Sequence, residues 1–241
     1  MKNFIVDIGN TRIKTALFDG GALVEERPFE DIETMVEYSK TLEFESSIVS
    51  SVTLSEAQLS ERISFPFLFL DRDTKIPFSN KYASPDTLGV DRKAAAIGAR
   101  AKFPGQPVLA IDMGSCITYD LMDQADQYLG GGISPGLQMR FKAMNQLTAR
   151  LSLANLPEGQ VPELIGDTTV SCMQSGVYYG IQFEMMGMVA AYMAKYPDLK
   201  VIICGGDSKI FESLTKDHIF VIPNLVLFGL NRILSYNVHY H

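Results

Sequence analysis

The pattern of apolar and polar positions along the chain predicts strands and helices in two successive series. The first series opens with two alternating segments, residues 3–8 and 12–18, a reversal at residues 19–21 and a third strand over residues 22–29. Three strands joined by short turns are typical of an antiparallel meander. Helical spacing then alternates with short apolar strands, and an alanine-rich helix over residues 91–101 ends the series.

The second series repeats the beginning of the first. The segment from Phe4 reads FIVDIGNTRIKTALFD, and the segment from Leu109 reads LAIDMGSCITYDLMDQ. Each contains an apolar strand, Asp-x-Gly followed by a small polar residue, and a second alternating strand. The repetition favours a duplicated α/β chain with one domain over residues 1–106 and another over residues 107–241. Coincidence is the alternative, because Asp-Gly turns between strands are common.

Composition and charge narrow the class of protein. The chain has 241 residues, 46% hydrophobic and 20% charged, which is typical of a globular protein with a sizeable core. The net charge is −7 with no basic run, so no nucleic-acid partner is expected. Three widely spaced cysteines argue against a disulfide framework or a zinc site and favour a cytoplasmic location. No signal-like or long uncharged apolar segment is present, so no membrane association is expected.

The turn after the first strand, Asp7-Ile8-Gly9-Asn10-Thr11, combines a glycine with a carboxylate. Glycine permits a close backbone approach, and exposed N–H groups in such turns bind anions. A carboxylate would repel a bare phosphate, whereas a magnesium ion held by Asp7, directly or through water, would bridge the two. Lys14 would add positive charge for the phosphates. An ordinary Asp-Gly turn is the open alternative.

Three further motifs carry candidate chemistry. Asp112-Met113-Gly114-Ser115 repeats the first turn in the second half of the chain. In Leu88-Gly89-Val90-Asp91-Arg92, Asp91 is either a helix-capping carboxylate or a general base that takes a proton from a substrate hydroxyl, with Arg92 pairing to a substrate anion. Gly205-Gly206-Asp207 follows an apolar strand and is either a plain turn or a flat seat for an adenine ring.

Together these motifs resemble the type III pantothenate kinases, within the superfamily of acetate and sugar kinases, heat-shock chaperone ATPases and actin. They follow the family's order over nearly the whole chain. The matching motifs are Asp7-Ile8-Gly9-Asn10-Thr11 with Lys14, Tyr82 before Gly89-Val90-Asp91-Arg92, Asp112-x-Gly114-Ser115 with Thr118 and Asp120, Gly131-Gly132-x-x-Pro135-Gly136, Gly166-x-x-Thr169 with Ser175-Gly176, and Gly205-Gly206-Asp207.

The resemblance implies an α/β fold of two duplicated ribonuclease-H-like domains, the actin-like ATPase fold, facing each other across a nucleotide cleft. It also implies that ATP phosphorylates the primary hydroxyl of pantothenate to 4'-phosphopantothenate, the first step of coenzyme A biosynthesis. The expected partners are a second copy of the chain, magnesium with the nucleotide, and a monovalent cation, potassium or ammonium.

By matching position, the resemblance also implies the site residues. Asp91 is expected to be the catalytic base, Asp112 to hold the monovalent cation, and Asp7 to hold magnesium. The expected pantothenate-binding residues are Tyr82, Gly89, Val90, Asp91, Arg92 and Thr169. The expected ATP-binding residues are Asp7, Ile8, Gly9, Asn10, Thr11, Arg12, Ile13, Lys14 and Ser115.

The chain departs from the family's pattern in one motif. Ser115-Cys116 stands where the family usually has Thr-Ala. Serine keeps the hydroxyl that a phosphate contact needs, so nucleotide binding is expected to survive, whereas the bulkier cysteine alters the surroundings of the cation. Two alternatives remain open: another small-alcohol or sugar kinase of the same superfamily, and a nucleotide-binding regulator without catalysis.

Overall fold

The computed structural model describes residues 1–10, 12–157, 159–214 and 218–238, which form two compact α/β units. Unit 1 comprises residues 1–105, 125–129 and 224–238, and unit 2 comprises residues 106–124 and 130–223. The predicted domains, 1–106 and 107–241, stay a prediction. By packing, two segments from the second half of the chain lie with unit 1.

The elements alternate between strands and helices, as the sequence pattern predicts. The strands are β1 (Lys2–Ile8), β2 (Ile13–Asp19), β3 (Ala22–Phe29), β4 (Ser46–Ser51), β5 (Leu68–Phe69), β6 (Ser79–Asn80), β7 (Val108–Met113), β8 (Cys116–Met122), β9 (Gln127–Pro135), β10 (Lys200–Cys204) and β11 (Ile219–Val221). The α-helices are α1 (Ile32–Ser39), α2 (Glu56–Ser60), α3 (Val90–Lys102), α4 (Leu137–Leu147), α5 (Thr169–Lys195) and α6 (Leu225–Val238).

The sheet of unit 1 has the order β3-β2-β1-β4-β5, with β1 at its centre. Strands β1 to β3 form the predicted antiparallel meander, and β4 joins the other side of β1 in parallel. Phe4, Ile5 and Val6 are completely buried, because β1 is covered on both faces. This central position places the end of β1, with Asp7, among the ends of two neighbouring strands.

The sheet of unit 2 repeats this topology. Five of its strands have the order β11-β10-β7-β8-β9, in which β7 pairs antiparallel with β8 and parallel with β10. Strands β7, β8, β9, β10 and β11 therefore correspond to β1, β2, β3, β4 and β5. The duplication expected from the sequence is confirmed as a shared strand order.

Helices α3 and α6 of unit 1 pack so closely that their backbones are in contact. A side chain at Gly229 would overlap the Ala94 carbonyl, and a side chain at Gly98 would overlap the Leu225 carbonyl. Ala94 and Ala95 are fully buried at the contact. This close approach fixes α3, and with it the first turn that carries Asp91, against the C-terminal helix.

Strand β9 contains Gly131, which belongs to one of the motifs that resemble the family. Only glycine fits at this position, because a side chain there would overlap the backbone carbonyl of Tyr119. At its beginning, β9 pairs in parallel with the short strand β6, with Asn80 opposite Tyr128. Gly131 therefore allows β9 to approach the neighbouring strand β8 closely.

Two helix starts are capped by hydroxyl side chains. Ser55 accepts a hydrogen bond from the backbone of Gln58, and Thr168 accepts one from Ser171, at the first turns of α2 and α5. Among the described residues, no helix combines the length and apolar character needed to cross a membrane.

Candidate active site

Three side chains of unit 1 meet around the end of strand β1. Asp7 is paired with Lys14 on β2 and with Ser50 on β4. Directly paired residues of neighbouring strands project from the same face of a sheet, so these three side chains share one face. The predicted ATP residues Asp7 and Lys14 are thus brought together, and Ser50 joins them.

Asp7 is electrostatically unusual. Burial raises the pKa of its carboxyl to about 6, the nearby Lys14 ammonium opposes that shift, and the charge of Asp91 adds to it. The carboxyl groups of Asp7 and Asp91 therefore interact electrostatically, although 84 positions separate them in the chain. A carboxylate destabilised by burial and by a second carboxylate favours a bound cation, so Asp7 fits the magnesium that the sequence predicts.

One backbone N–H of the turn after Asp7 is already used within the turn. The Gly9 N–H donates to the Arg12 carbonyl at 3.1 Å, so that amide is used within the turn. Asn10 and Arg12 are exposed, whereas Ile8 and Ile13 are buried in the adjoining strands. Among the described residues of this turn, Asn10 and Arg12 are therefore accessible for the predicted phosphate contacts. Thr11, also predicted to bind ATP, lies outside the described residues.

Asp91 lies in the first turn of α3. Its Oδ1 accepts a hydrogen bond from the Arg92 N–H at 2.9 Å within that turn, whereas the helix is capped by Gly89 without a side-chain hydrogen bond. A side chain at Gly89 would overlap that same oxygen, because the carboxylate folds back over the glycine. A carboxylate that only stabilises the start of a helix needs no interaction with Asp7. The electrostatic interaction between Asp91 and Asp7 therefore favours a second role for Asp91.

The predicted pantothenate residues of unit 1 lie around an aromatic cluster. The buried Arg92 guanidinium is 5.6 Å from the centre of the Tyr82 ring, in cation–π geometry. Tyr82 meets the edge of Tyr128 at 6.1 Å, and Tyr128 stacks on Phe78 at 5.7 Å. Val90, also a predicted contact, is partly buried at the start of α3. Tyr82 and the segment from Gly89 to Arg92 are therefore brought together.

Sequence reasoning missed Tyr128 and Ser50. Tyr128 has no local signal, because its place beneath Tyr82 depends on the pairing of β6 with β9. Ser50 carries no distinctive signal, because four of the six residues of β4 are serines, in the sequence SSIVSS.

In unit 2 three segments meet around the end of strand β7. Gly205 has a positive φ of 91°, and a side chain there would overlap the Asp112 carboxylate and the Met113 carbonyl. The Asp207 N–H donates to the Met113 carbonyl at 3.1 Å, and burial raises the pKa of the Asp207 carboxyl. The turn that contains Gly205 therefore packs directly against the hairpin that contains Asp112.

The third segment of this cluster begins α4. The Gly136 N–H donates to the Ser115 carbonyl at 3.1 Å, and Ser115 itself is exposed at the tip of the hairpin. Cys116 is only partly buried at the start of β8. The hydroxyl that replaces the family's threonine is therefore accessible to a ligand.

Thr169, the last predicted pantothenate contact, belongs to unit 2. It is exposed at the first position of α5, directly after the capping residue Thr168. It lines an open pocket of about 540 Å³. The other residues of this pocket are Met144, Leu151, Gly166, Asp167, Thr168, Cys172 and Met173.

The residues suggested for metals offer one carboxylate each. Within the described ranges, no group of three or more His, Cys, Asp or Glu side chains is arranged to hold a metal ion. Magnesium commonly keeps several waters and takes one or two protein carboxylates together with substrate phosphates. Asp7 fits such a partial site. That Asp7 and Asp112 face one nucleotide cleft stays a prediction.

Comparisons with known proteins agree with these motifs. The family model for type III pantothenate kinase matches residues 3–191. A type III pantothenate kinase of Bacteroides fragilis is 43% identical over 240 residues, covering 98% of both chains. A ROK hexokinase from Thermus thermophilus superposes with a TM-score of 0.53 at 13% identity, over 99% of this chain and 100% of that one.

A further solved structure is an activator of 2-hydroxyisocaproyl-CoA dehydratase from Clostridium difficile with bound ADPNP. It has a TM-score of 0.54 at 12% identity, and covers 100% of this chain and 96% of that one. At such low sequence identities the two structures are evidence for the fold alone. They confirm the predicted α/β fold of two duplicated ribonuclease-H-like domains. The family match and the full-length relative show more: this chain belongs to the type III pantothenate kinase family.

Proposed function

We propose that this chain is an ATP-dependent kinase that phosphorylates the primary hydroxyl of pantothenate, giving 4'-phosphopantothenate for coenzyme A biosynthesis. Family membership over the whole chain supports the substrate and the reaction. The structural observation that carries the catalytic assignment is the place of Asp91 in the first turn of α3, next to the Arg92 that packs on Tyr82. The negative charge of Asp91 also raises the pKa of Asp7.

Asp91 is the proposed general base. As the hydroxyl oxygen attacks the γ-phosphorus, its proton passes to the Asp91 carboxylate and the bond to the ADP oxygen breaks in line with the attack. The transition state is loose, so the proton moves late and the base mainly orients the hydroxyl. Gly89 leaves room for the carboxylate, and Arg92 with Tyr82 holds the acceptor's polar groups beside it.

Asp7 and Lys14 are proposed to bind the metal–nucleotide complex. Magnesium, when bound, neutralises charge on the phosphates and fixes their orientation. Lys14 contributes a positive charge on the same sheet face, and the accessible Asn10 and Arg12 of the adjoining turn extend the phosphate contacts. Asp7 supplies the carboxylate that this cation requires.

The second unit supplies the remaining proposed contacts. Asp112 is assigned the monovalent cation, Ser115 a nucleotide phosphate, and Thr169 a pantothenate contact, each by its match to the family's motif. The accessible Ser115 hydroxyl and the open pocket at Thr169 support these assignments. The cytoplasmic location is proposed from the cysteine usage of the sequence, three widely spaced cysteines without a paired motif.

A homodimer is proposed on the basis of helix α5. Phe183 and Met186 are 60% and 46% exposed, and Gly176, Gly187 and Ala190 are exposed at helical spacing beside them. An apolar helix face of this extent is typical of an interface. Light scattering on the purified chain should give the mass of two copies; the mass of one copy would contradict the dimer.

The test of the proposed function is ADP formation from ATP and magnesium, with pantothenate present or omitted, in potassium and in sodium buffer. We expect turnover that requires pantothenate and is stimulated by potassium. Turnover with other alcohols or sugars alone would favour a different kinase of the superfamily. Nucleotide binding without turnover would favour a non-catalytic regulator.

A further inference from the structure

Ser50 is a fully buried polar residue near the end of β4, in the sheet of unit 1. Its side chain has no exposed surface, and its Oγ has no partner at full hydrogen-bond geometry among the described atoms. A buried hydroxyl without a partner is costly, because it has given up its hydrogen bonds to water. Such a group in a native structure calls for an explanation beyond packing.

Ser47 on the same strand shows that β4 can satisfy a buried serine. Ser47 is 4% exposed, and its Oγ donates to the Pro66 carbonyl at 2.6 Å. The two serines share residue type, strand and burial, and they differ in the hydrogen bond. The unsatisfied state is therefore specific to the position of Ser50.

The group opposite Ser50 is the Asp7 carboxylate. Asp7 and Ser50 are paired in the parallel register of β1 and β4, so their side chains lie on one face of the sheet. The hydroxyl lies close enough to lower the pKa of the Asp7 carboxyl, against the effect of burial. Asp7 is flanked on its other side by Lys14, which leaves Ser50 as the neutral donor of the group.

We infer that Ser50 is a positioning residue for Asp7: its hydroxyl donates to the carboxylate when the magnesium–nucleotide complex binds, and fixes which oxygen faces that complex. This rests on the proposed function, because it takes Asp7 as the carboxylate that serves the cation. Carboxylates that bind metals are commonly held by a hydrogen bond from a second residue. In the free protein the contact falls short of full hydrogen-bond geometry, so the hydroxyl contributes little to stability.

The test compares Ser50→Ala with Ser47→Ala, using binding and melting. For Ser50→Ala we expect the free protein to melt at the same temperature or a few degrees higher, because a buried unpaired group is removed. Its affinity for ADPNP with magnesium, measured by calorimetry, should fall roughly tenfold, while its affinity for ADPNP without magnesium changes less than twofold.

Ser47→Ala should show the opposite behaviour. Its melting temperature should fall by a few degrees, because the Pro66 carbonyl loses a buried partner, and its magnesium-dependent affinity should stay within twofold of wild type. Ser50→Thr keeps a hydroxyl, and we expect it to restore at least part of the magnesium-dependent affinity. Recovery by threonine would support a hydrogen bond rather than a packing effect.

An unchanged magnesium-dependent affinity in Ser50→Ala would overturn the inference, whatever its melting temperature. This failure is distinguishable from failure of the proposed function. In the first case the wild type binds magnesium–ADPNP and phosphorylates pantothenate, and only the Ser50 variant behaves unexpectedly. In the second case the wild type itself shows no pantothenate-dependent turnover.

Discussion

The two Asp-x-Gly hairpins share a topology, and their aspartates have different neighbours. Asp7 lies between Lys14 and Ser50, whereas Asp112 lies between Thr118 and Cys204 at the corresponding pairings. The first hairpin therefore combines a carboxylate with an ammonium group, which suits an anion and its divalent counter-ion. The second has no basic residue at the equivalent place.

The two units thus share a strand framework and differ in the side chains at the ends of their central strands. At the second hairpin, the Thr118 hydroxyl donates to the buried Asp120 carboxylate at 2.9 Å. A carboxylate without a lysine opposite it suits a small cation that needs no phosphate, in line with the monovalent ion proposed at Asp112.

The largest expected effect belongs to Asp91, which interacts electrostatically with the first hairpin's aspartate. Asp91→Asn keeps the shape of the side chain and removes the base, so we expect turnover to fall about 100-fold or more with the fold retained. Steady-state kinetics with a circular-dichroism melt would measure both. Asp86→Asn, an exposed neighbour in the same segment, is the control; turnover of Asp91→Asn within a few-fold of wild type would refute the role.

Lys14→Met makes the first hairpin resemble the second by removing its positive charge. Because a hydrogen bond to a charged group contributes about 1.5–3 kcal/mol, the KM for ATP should rise between about 10-fold and 100-fold. The KM for pantothenate should change little. Lys2→Met, at the other end of the same hairpin, should leave both constants unchanged, and an equal effect of the two variants would contradict a specific phosphate contact.

Gly89→Ala tests whether catalysis needs the Asp91 carboxylate in its position next to Gly89. The added methyl group would displace Oδ1, and a misplaced base should lower kcat roughly tenfold with little effect on the KM for ATP. Gly21→Ala is a matched control, since nothing lies within 4 Å of the added atom. Unchanged kcat in Gly89→Ala would show that the carboxylate has room to adapt.

A further expected effect concerns the pH dependence of stability. The folded pKa of Asp7, about 6, is raised above the model-compound value of 3.8, so the folded state holds this proton more tightly than the unfolded state. Its contribution is therefore fully present below pH 3.8 and is lost as the pH rises through about 6. Free wild-type protein should lose on the order of 2 kcal/mol of unfolding free energy between pH 4 and pH 7.5 from this group.

Asp7→Asn carries no titrating group at this position and should lack that part of the pH dependence. Urea unfolding at both pH values, with and without the substitution, measures the difference directly. A pH dependence identical in the two proteins would show that the Asp7 carboxyl is not destabilised by its surroundings.

Local signals made much of this architecture predictable. The capping residues Ser55 and Thr168 fix helix starts through bonds to residues three positions away, so a short window of sequence suffices. The Asp7 and Asp112 turns were predictable because alternation on either side defines a hairpin. The position of Asp91 in the first helical turn followed from the same kind of signal.

Features that depend on distant partners were not predictable. Tyr128 lies beneath Tyr82 only because β6 pairs with β9, and no residue pattern near either ring indicates that pairing. The glycines at 98 and 229 read as weak helix positions, and their purpose is visible only where α3 meets α6. Ser50 needed the register between two strands before its lack of a partner could be noticed.

The packing of α6 on α3 also dictates an order of events during synthesis. Helix α3 carries the proposed base, and the helix that locks it in place is translated more than 120 residues later. A ribosome must therefore release nearly the whole chain before unit 1 can close, and until then the apolar face of α3 awaits its partner. Nascent chains halted before residue 225 should consequently be exposed to chaperones and proteases, although the strands around Asp7 have already been made.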